Sequence, residues 1–199
     1  MALEDYNKKR NFKETAEPEG KAKVSGKKLK FVIQRHAATR LHYDFRLEME
    51  GVLKSWAVPK GPSLNPADKR LAMMVEDHPY SYRTFEGSIP EGNYGAGEVE
   101  IWDEGTYEPI EKVEGKSDDL VMHKQSLKFI LHGKKLKGEF ALVKIKSSKD
   151  ENAWLLIKHK DKYAVDEDYN AEEYTLKTSK VTAYLEEKEG KKKMTRPKV

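Results

Sequence analysis

Leu41-His42-Tyr43-Asp44-Phe45-Arg46-Leu47-Glu48-Met49 alternates strictly between apolar and polar residues. In a β-strand successive side chains point to opposite faces. Leu41, Tyr43, Phe45, Leu47 and Met49 therefore share one face, and His42, Asp44, Arg46 and Glu48 the other. An ordinary half-exposed strand shows the same alternation, with its polar side in water. The polar side here differs in kind, because imidazole, carboxylate and guanidinium follow one another about 7 Å apart. His and Asp at i and i+2 can meet at one metal ion. An Arg two residues further on can reach an anion held there, through a planar fork suited to phosphate or carboxylate. On this strand alone, a functional face and a solvated face both remain open.

Working outward, His36 ends the run Phe31-Val32-Ile33-Gln34-Arg35-His36, and the linker Ala37-Ala38-Thr39-Arg40 is short enough for a turn. His36 can then return beside His42 and complete a set of two imidazoles and one carboxylate. Such a set suits Mn²⁺, Fe²⁺ or Zn²⁺ and leaves positions open for substrate or water. Downstream, Lys60 sits in the rigid turn Pro59-Lys60-Gly61-Pro62, and Arg70 precedes the apolar run 71–75; each is a phosphate contact or a plain surface cation. His78 is held extended by Pro79, with Tyr82 shortly after, and is a general acid, a phosphate contact or a turn residue. His123, His132 and His159 lie among lysines or glycine and read as surface residues. Gly92-Asn93-Tyr94-Gly95-Ala96-Gly97 lacks the Gly-Lys-Ser/Thr of a P-loop and reads as a tight turn.

Short β-rich runs recur at 30–34, 41–49, 53–58, 71–75, 98–102, 126–131, 139–145 and 153–158, separated by Gly and Pro turns. This pattern predicts a mainly β fold: a small antiparallel β-barrel with short flanking helices and flexible charged termini. Residues 1–28 read as a basic arm or a short helix followed by loop, 29–163 as the barrel, and 164–199 as a charged extension, partly disordered, with a short helix within 163–186 and disorder from 187. Residues 111–126 read as a loop with one helical turn.

Charged residues make up 36% of the 199-residue chain, against about 25% in a usual globular protein. The net charge is only +4, so attraction to nucleic acid rests on local clusters such as Lys8-Lys9-Arg10. The absence of cysteine excludes disulfides and thiolate metal sites. No apolar stretch approaches the roughly 20 residues that cross a bilayer, and the N-terminus lacks a signal-peptide core. The expectation is a soluble, intracellular monomer with no membrane association.

The segment 34–48, together with Gly51-Val52-Leu53-Lys54-Ser55-Trp56-Ala57-Val58-Pro59-Lys60-Gly61-Pro62-Ser63, resembles the 3′-phosphoesterase domain of bacterial DNA ligase D and its stand-alone relatives. So do Val75-Glu76-Asp77-His78-Pro79, Phe85-Glu86-Gly87, Ile89-Pro90-Glu91-Gly92, Tyr94-Gly95-Ala96-Gly97 and Trp154-Leu155-Leu156-Ile157-Lys158-His159. The resemblance spans about residues 5 to 163. It implies a stand-alone Mn²⁺-dependent β-barrel enzyme, with Co²⁺ or Zn²⁺ as other metals. Two linked reactions are implied: removal of a 3′-terminal nucleoside next to a ribonucleotide, then removal of the remaining 3′-phosphate. The implied substrates are DNA or RNA–DNA primer–template 3′ ends, and the implied partners a separate ligase and polymerase of the same end-joining pathway. By motif, the metal ligands fall on His36, His42 and Asp44, and the phosphate and catalytic contacts on Arg46, Lys60, Arg70, His78 and Tyr82. The family's N-terminal Lys-Arg-Asp-Phe and Thr-x-Glu-Pro read here as Lys9-Arg10-Asn11-Phe12 and Thr15-Ala16-Glu17-Pro18. Arg10 and Glu17 are thereby candidate site residues, and Asn11 stands where Asp is expected.

Two other classes compete. In a non-haem Fe(II) oxygenase, His42 and Asp44 would pair with a distant His123 or His132, and His36 would be dispensable. In a non-catalytic nucleic-acid-binding barrel, binding would fall steeply with salt and ignore Mn²⁺.

Overall fold

The computed structural model describes residues 3–21, 26, 28–110, 125–146 and 149–194. Ten strands form, in chain order: β1 (Lys30–Ala37), β2 (Leu41–Met49), β3 (Val52–Val58), β4 (Lys69–Met74), β5 (His78–Pro79), β6 (Gly87–Ile89), β7 (Gly97–Pro109), β8 (Ser126–Gly133), β9 (Lys137–Lys144) and β10 (Ala153–Lys158). Helix α1 (Glu4–Lys8) precedes them, α2 (Lys180–Met194) follows them, and 3-10 turns span Tyr80–Thr84 and Ala171–Tyr174.

The order β1-β2-β3-β4-β10-β9-β8-β7 returns to β1, so eight antiparallel strands close into a barrel, as the alternation and turn spacing predict. Closure leaves no free edge within the wall. The β2–β3 hairpin turns on Glu50 and Gly51, at φ 50° and 81°. Positive φ at both central positions is what a two-residue type I′ turn requires, and such a turn fixes the strand register. Inside the barrel, Phe31, Ile33, Tyr43, Phe45, Leu47, Trp56, Phe129, Phe140, Leu142 and Trp154 form one continuous core. The apolar face of β2 thus points into the barrel.

The polar face of β2 lies outside the wall, yet it is also buried: Asp44, Arg46 and Glu48 are 6%, 2% and 1% exposed. The cover is a second apolar cluster of Leu3, Tyr6, Val52, Leu53, Tyr82, Phe85, Ile89 and Val99. It packs Leu3 and Tyr6 of the N-terminal arm and Tyr82, Phe85 and Ile89 of the segment 80–89 onto Val52 and Leu53 of β3 and Val99 of β7, and that segment is held to the wall where β5 pairs with β3 and β6 with β7.

The C-terminal segment closes one end of the barrel. Tyr169 and Ala171 join the interior core, and the Trp102 indole donates to the Ala171 carbonyl (3.2 Å). Arg35, 2% exposed, forks onto Glu172 (2.9 and 2.7 Å) and reaches Glu100 and Thr182. The disorder expected from residue 187 is corrected over 187–194, since α2 continues to Met194, and 195–199 lie outside the described residues. Its register is anchored by the fully buried Val181 and by Lys188 Nζ donating to Ala38 O (2.7 Å). Glu187 and Lys191 pair at i, i+4 (2.6 Å) on its surface. The polar composition hides this helix because few of its residues need burial. The strand expected at 98–102 is also longer, since β7 runs through thirteen residues and spans pairings with both β1 and β8. The loop expected over residues 111–126 lies largely outside the described residues. No described helix is long and apolar enough to cross a membrane.

Candidate active site

The pairing of β1 with β2 sets His36 directly opposite His42 and Gln34 opposite Asp44. All four lie on the outer face, and the two imidazole centroids are 4.7 Å apart. The start of β7 is drawn against the end of β1 at Gly97, where a Cβ would lie 2.1 Å from the Ala37 carbonyl oxygen. That close approach, which only glycine tolerates, brings the preceding loop over His36.

One donor atom from each of His36, His42 and Asp44 lies within 4.8 Å of the other two, the one group of this kind among the described residues. His36 Nε2 is 2.8 Å from Gly95 O, and His42 Nδ1 is 3.0 Å from Arg40 O. A carbonyl only accepts, so each imidazole commits its N–H there and turns the lone pair of its other nitrogen toward Asp44. Those nitrogens stand 3.4 and 3.6 Å from the two Asp44 oxygens. Two lone pairs and a carboxylate converging on one point form a donor set that fits a divalent cation, and the carbonyls are the outer partners that orient ligating histidines.

Burial opposes the charge on Asp44, but the Arg46 guanidinium beside it outweighs burial and holds the carboxyl well below the usual carboxylate range. Arg46 is fixed on three sides: Nε donates to Gln34 Oε1 (2.7 Å), Nη1 to Ser55 Oγ (2.9 Å) and Nη2 to Asp44 Oδ2 (3.1 Å). Gln34 in turn donates to the Tyr82 and Phe85 carbonyls.

The N-terminal arm supplies the opposite wall. Arg10 Nε donates to Glu17 Oε1 (2.9 Å), Nη1 to Glu76 Oε1 (3.2 Å), and Nη2 lies 3.2 Å from His78 Nε2. Glu17 also accepts from Thr15 and from the Tyr82 hydroxyl (3.0 Å). Burial pushes the Tyr82 phenol up, so it stays a donor. Burial, reinforced by Arg46 and Arg10, pushes the His78 imidazole well below its ordinary value. His78 Nδ1 faces the Glu76 carbonyl (2.9 Å), which leaves Nε2 to accept from Arg10.

Together these groups line a cavity of about 260 Å³ that includes Arg10, His36, His42, Asp44, Arg46, His78 and Tyr82. Glu17 supports it from behind. Lys60 and Arg70 are not brought to it. They line a separate pocket of about 300 Å³ with Leu41, Tyr43 and Tyr169, where Arg70 donates to Asp68 and to the Tyr169 carbonyl. Asn11 is exposed and accepts from the Lys13 amide (3.3 Å), capping a turn outside the cavity. His132 pairs with Glu108 on the surface and His159 lies near Glu139, both away from the cluster, and His123 lies outside the described residues.

Sequence reasoning missed Gln34, Ser55, Tyr6, Glu76 and Tyr94. Gln34 carried a usable signal, since it lies two residues before His36 and so on the same strand face. Tyr6 carried none, being a single aromatic in a polar arm.

The outer wall of this closed antiparallel barrel thus carries a His-His-Asp set, two of its members buried, beside two fixed guanidinium groups, an arrangement that could take a cation together with an anion. The profile of the DNA ligase D 3′-phosphoesterase domain matches residues 34–144, and the chain belongs to that family. It is 49% identical over 162 residues to the multifunctional non-homologous end joining protein LigD of Pseudomonas aeruginosa, covering 80% of this chain and 19% of that protein. It is 48% identical over 143 residues to the multifunctional non-homologous end joining DNA repair protein LigD of Mycobacterium tuberculosis, covering 71% and 18%. Identity to the LigD of Mycolicibacterium smegmatis is 44% over 170 residues, covering 84% and 22%. The chain thus spans about a fifth of the length of the relatives it matches.

Proposed function

We propose that this chain is a Mn²⁺-dependent phosphoesterase that heals nucleic acid 3′ ends in end-joining repair. It first hydrolyses the phosphodiester to a 3′-terminal ribonucleoside, leaving a 3′-phosphate. It then hydrolyses that monoester, releasing inorganic phosphate and leaving a 3′-hydroxyl for a ligase or polymerase. The observation that carries this reading is the convergence of His36, His42 and Asp44 on one wall of a cavity whose other walls present Arg46, Arg10 and His78.

His36, His42 and Asp44 would hold the metal ion, whose bound charge offsets the negative charge that develops on the phosphoryl oxygens. Arg46 and Arg10 orient the phosphate. Their guanidinium groups are already fixed by Gln34, Ser55, Glu17 and Glu76, so little reorganisation is needed as charge builds. Each hydrolysis adds water at phosphorus, breaks one P–O bond and protonates the leaving oxygen. His78 is the residue positioned for that proton. It is neutral in the free protein, and the negative phosphate bound beside it favours its protonation. Protonation of His78 Nε2 ends its acceptance from Arg10 Nη2, which is then free to donate to the phosphate without leaving Glu17 or Glu76. Lys60 and Arg70, in their separate pocket, hold a phosphate elsewhere on the strand.

The test is a gel assay on an end-labelled primer–template whose primer ends in ribonucleotides, with Mn²⁺ or with EDTA, for the wild type and His42→Ala. Mn²⁺-dependent shortening to a 3′-phosphate and then a 3′-hydroxyl, lost in the variant, supports the reading. Salt-sensitive binding without cleavage, unchanged by EDTA, overturns it in favour of a non-catalytic barrel.

A further inference from the structure

Tyr94 sits on the rim of the same cavity and takes no part in the chemistry above. The residue is 48% exposed, one of few large hydrophobic residues so placed among the described residues. The loop beneath it is tightly built: the Asn93 amide donates to Pro90 O (3.2 Å), the Ala96 amide to Asn93 O (3.1 Å), and Gly92 and Gly95 hold positive φ. The next residue, Gly95, provides the carbonyl that fixes His36. The ring is therefore tied to the metal-ligand set through one residue of backbone. Two cations lie over it, Lys9 Nζ at 4.7 Å and Arg10 Cζ at 5.7 Å from its centroid, and the exposed side chain of Lys9 can yield its place to a base. A rigidly mounted, half-open aromatic ring beside a phosphate-binding arginine is suited to stacking a nucleobase while the adjoining phosphate lies in the cavity.

Resting on the phosphoesterase reading, we propose that Tyr94 is the stacking platform for the base of the nucleotide whose 3′ oxygen carries the scissile phosphate. That nucleotide is present in both hydrolytic steps, whereas the departing nucleoside is present only in the first. One platform thus serves both reactions. Every base offers a π-face, so the site accepts all four bases and selects for the presence of a base rather than its identity.

The test compares the wild type, Tyr94→Ala and Tyr94→Phe on 3′-phosphate strands whose terminal nucleotide carries a base or is abasic. The same proteins are titrated with a strand bearing 2-aminopurine at that position, whose fluorescence falls on stacking. Removing the base should raise KM about tenfold for the wild type and leave kcat within twofold. Tyr94→Ala should raise KM equally on the base-bearing strand and add nothing further on the abasic one, while Tyr94→Phe behaves as wild type. Quenching should be lost only in Tyr94→Ala. An equal KM rise on both strands, a loss in kcat alone, or undiminished quenching in Tyr94→Ala overturns the proposal. Quenching that depends on Tyr94 without hydrolysis by any protein would sink the phosphoesterase reading and leave the platform standing.

Discussion

Arg10 Nη2 and His78 Nε2, 68 residues apart in the chain, lie 3.2 Å from each other across the cavity. The contact joins the N-terminal arm to the barrel and places a fixed positive charge against an imidazole. Together with burial, it holds His78 neutral. The unfolded chain takes up a proton on this residue near pH 6.5 and the folded chain does not. The stability His78 contributes is therefore present above pH 6.5 and lost as pH falls below it. Urea unfolding of the metal-free wild type should show stability declining from pH 6.5 toward 5 by up to about 1.4 kcal/mol per pH unit. His78→Asn should flatten that slope. An unchanged slope in the variant would assign the loss to other groups.

Metal binding should be read as stability as well as activity. At a Mn²⁺ concentration about 100 times its dissociation constant, the wild type should gain roughly 2.7 kcal/mol, seen as a rise in Tm. His42→Ala and Asp44→Ala should show no rise and no hydrolysis. A variant that keeps the full Mn²⁺ shift would remove that residue from the ligand set.

Glu17 is an internal counter-ion: its side chain is fully buried and it joins Arg10, Tyr82 and Thr15. Glu17→Ala leaves Arg10 buried without that partner and should destabilise the fold by about 3–5 kcal/mol, lowering Tm by roughly 2–4 °C per kcal/mol. Glu17→Gln, which still accepts hydrogen bonds, should lose less stability. Equal losses would show that shape, not charge, governs this position.

Lys60 and Arg70 line a different pocket from the His-His-Asp set. Lys60→Ala and Arg70→Ala should therefore keep the Mn²⁺-induced rise in Tm while raising KM for a polynucleotide about tenfold, the effect of losing one charge-assisted contact. Loss of the Mn²⁺ response in either variant would contradict the separation of the two pockets.

The barrel was legible because period-two alternation is a direct image of a strand with unlike faces. Residues 41–49 announced both which side chains fill the core and which share the opposite face. His36, His42 and Asp44 were legible for the same reason, being close in sequence and joined by a short turn. What stayed hidden depends on contacts between distant segments. The motif around Arg10 and Glu17 brings the arm to the site, but nothing in it says that Tyr6 packs over the polar face of β2. Lys60 and Arg70 follow a motif that names residues but not the pocket each one lines. Helix α2 was invisible because its attachment uses Val181, Lys188 and the Arg35 cluster in place of an apolar stripe.

The β1–β2 pairing in which His36 faces His42 has a further consequence. Sliding one strand past the other by a single residue would turn Phe45 and Leu47 out of the barrel and swing His42 and Asp44 into it. The oily interior and the His-His-Asp set are therefore two readouts of one alignment, and a chain cannot mispair here and spoil only one of them. Folding acts as a proofreader for this cluster: molecules that reach the closed barrel carry their three donor atoms in place, and those that slip lose shape and donor set together.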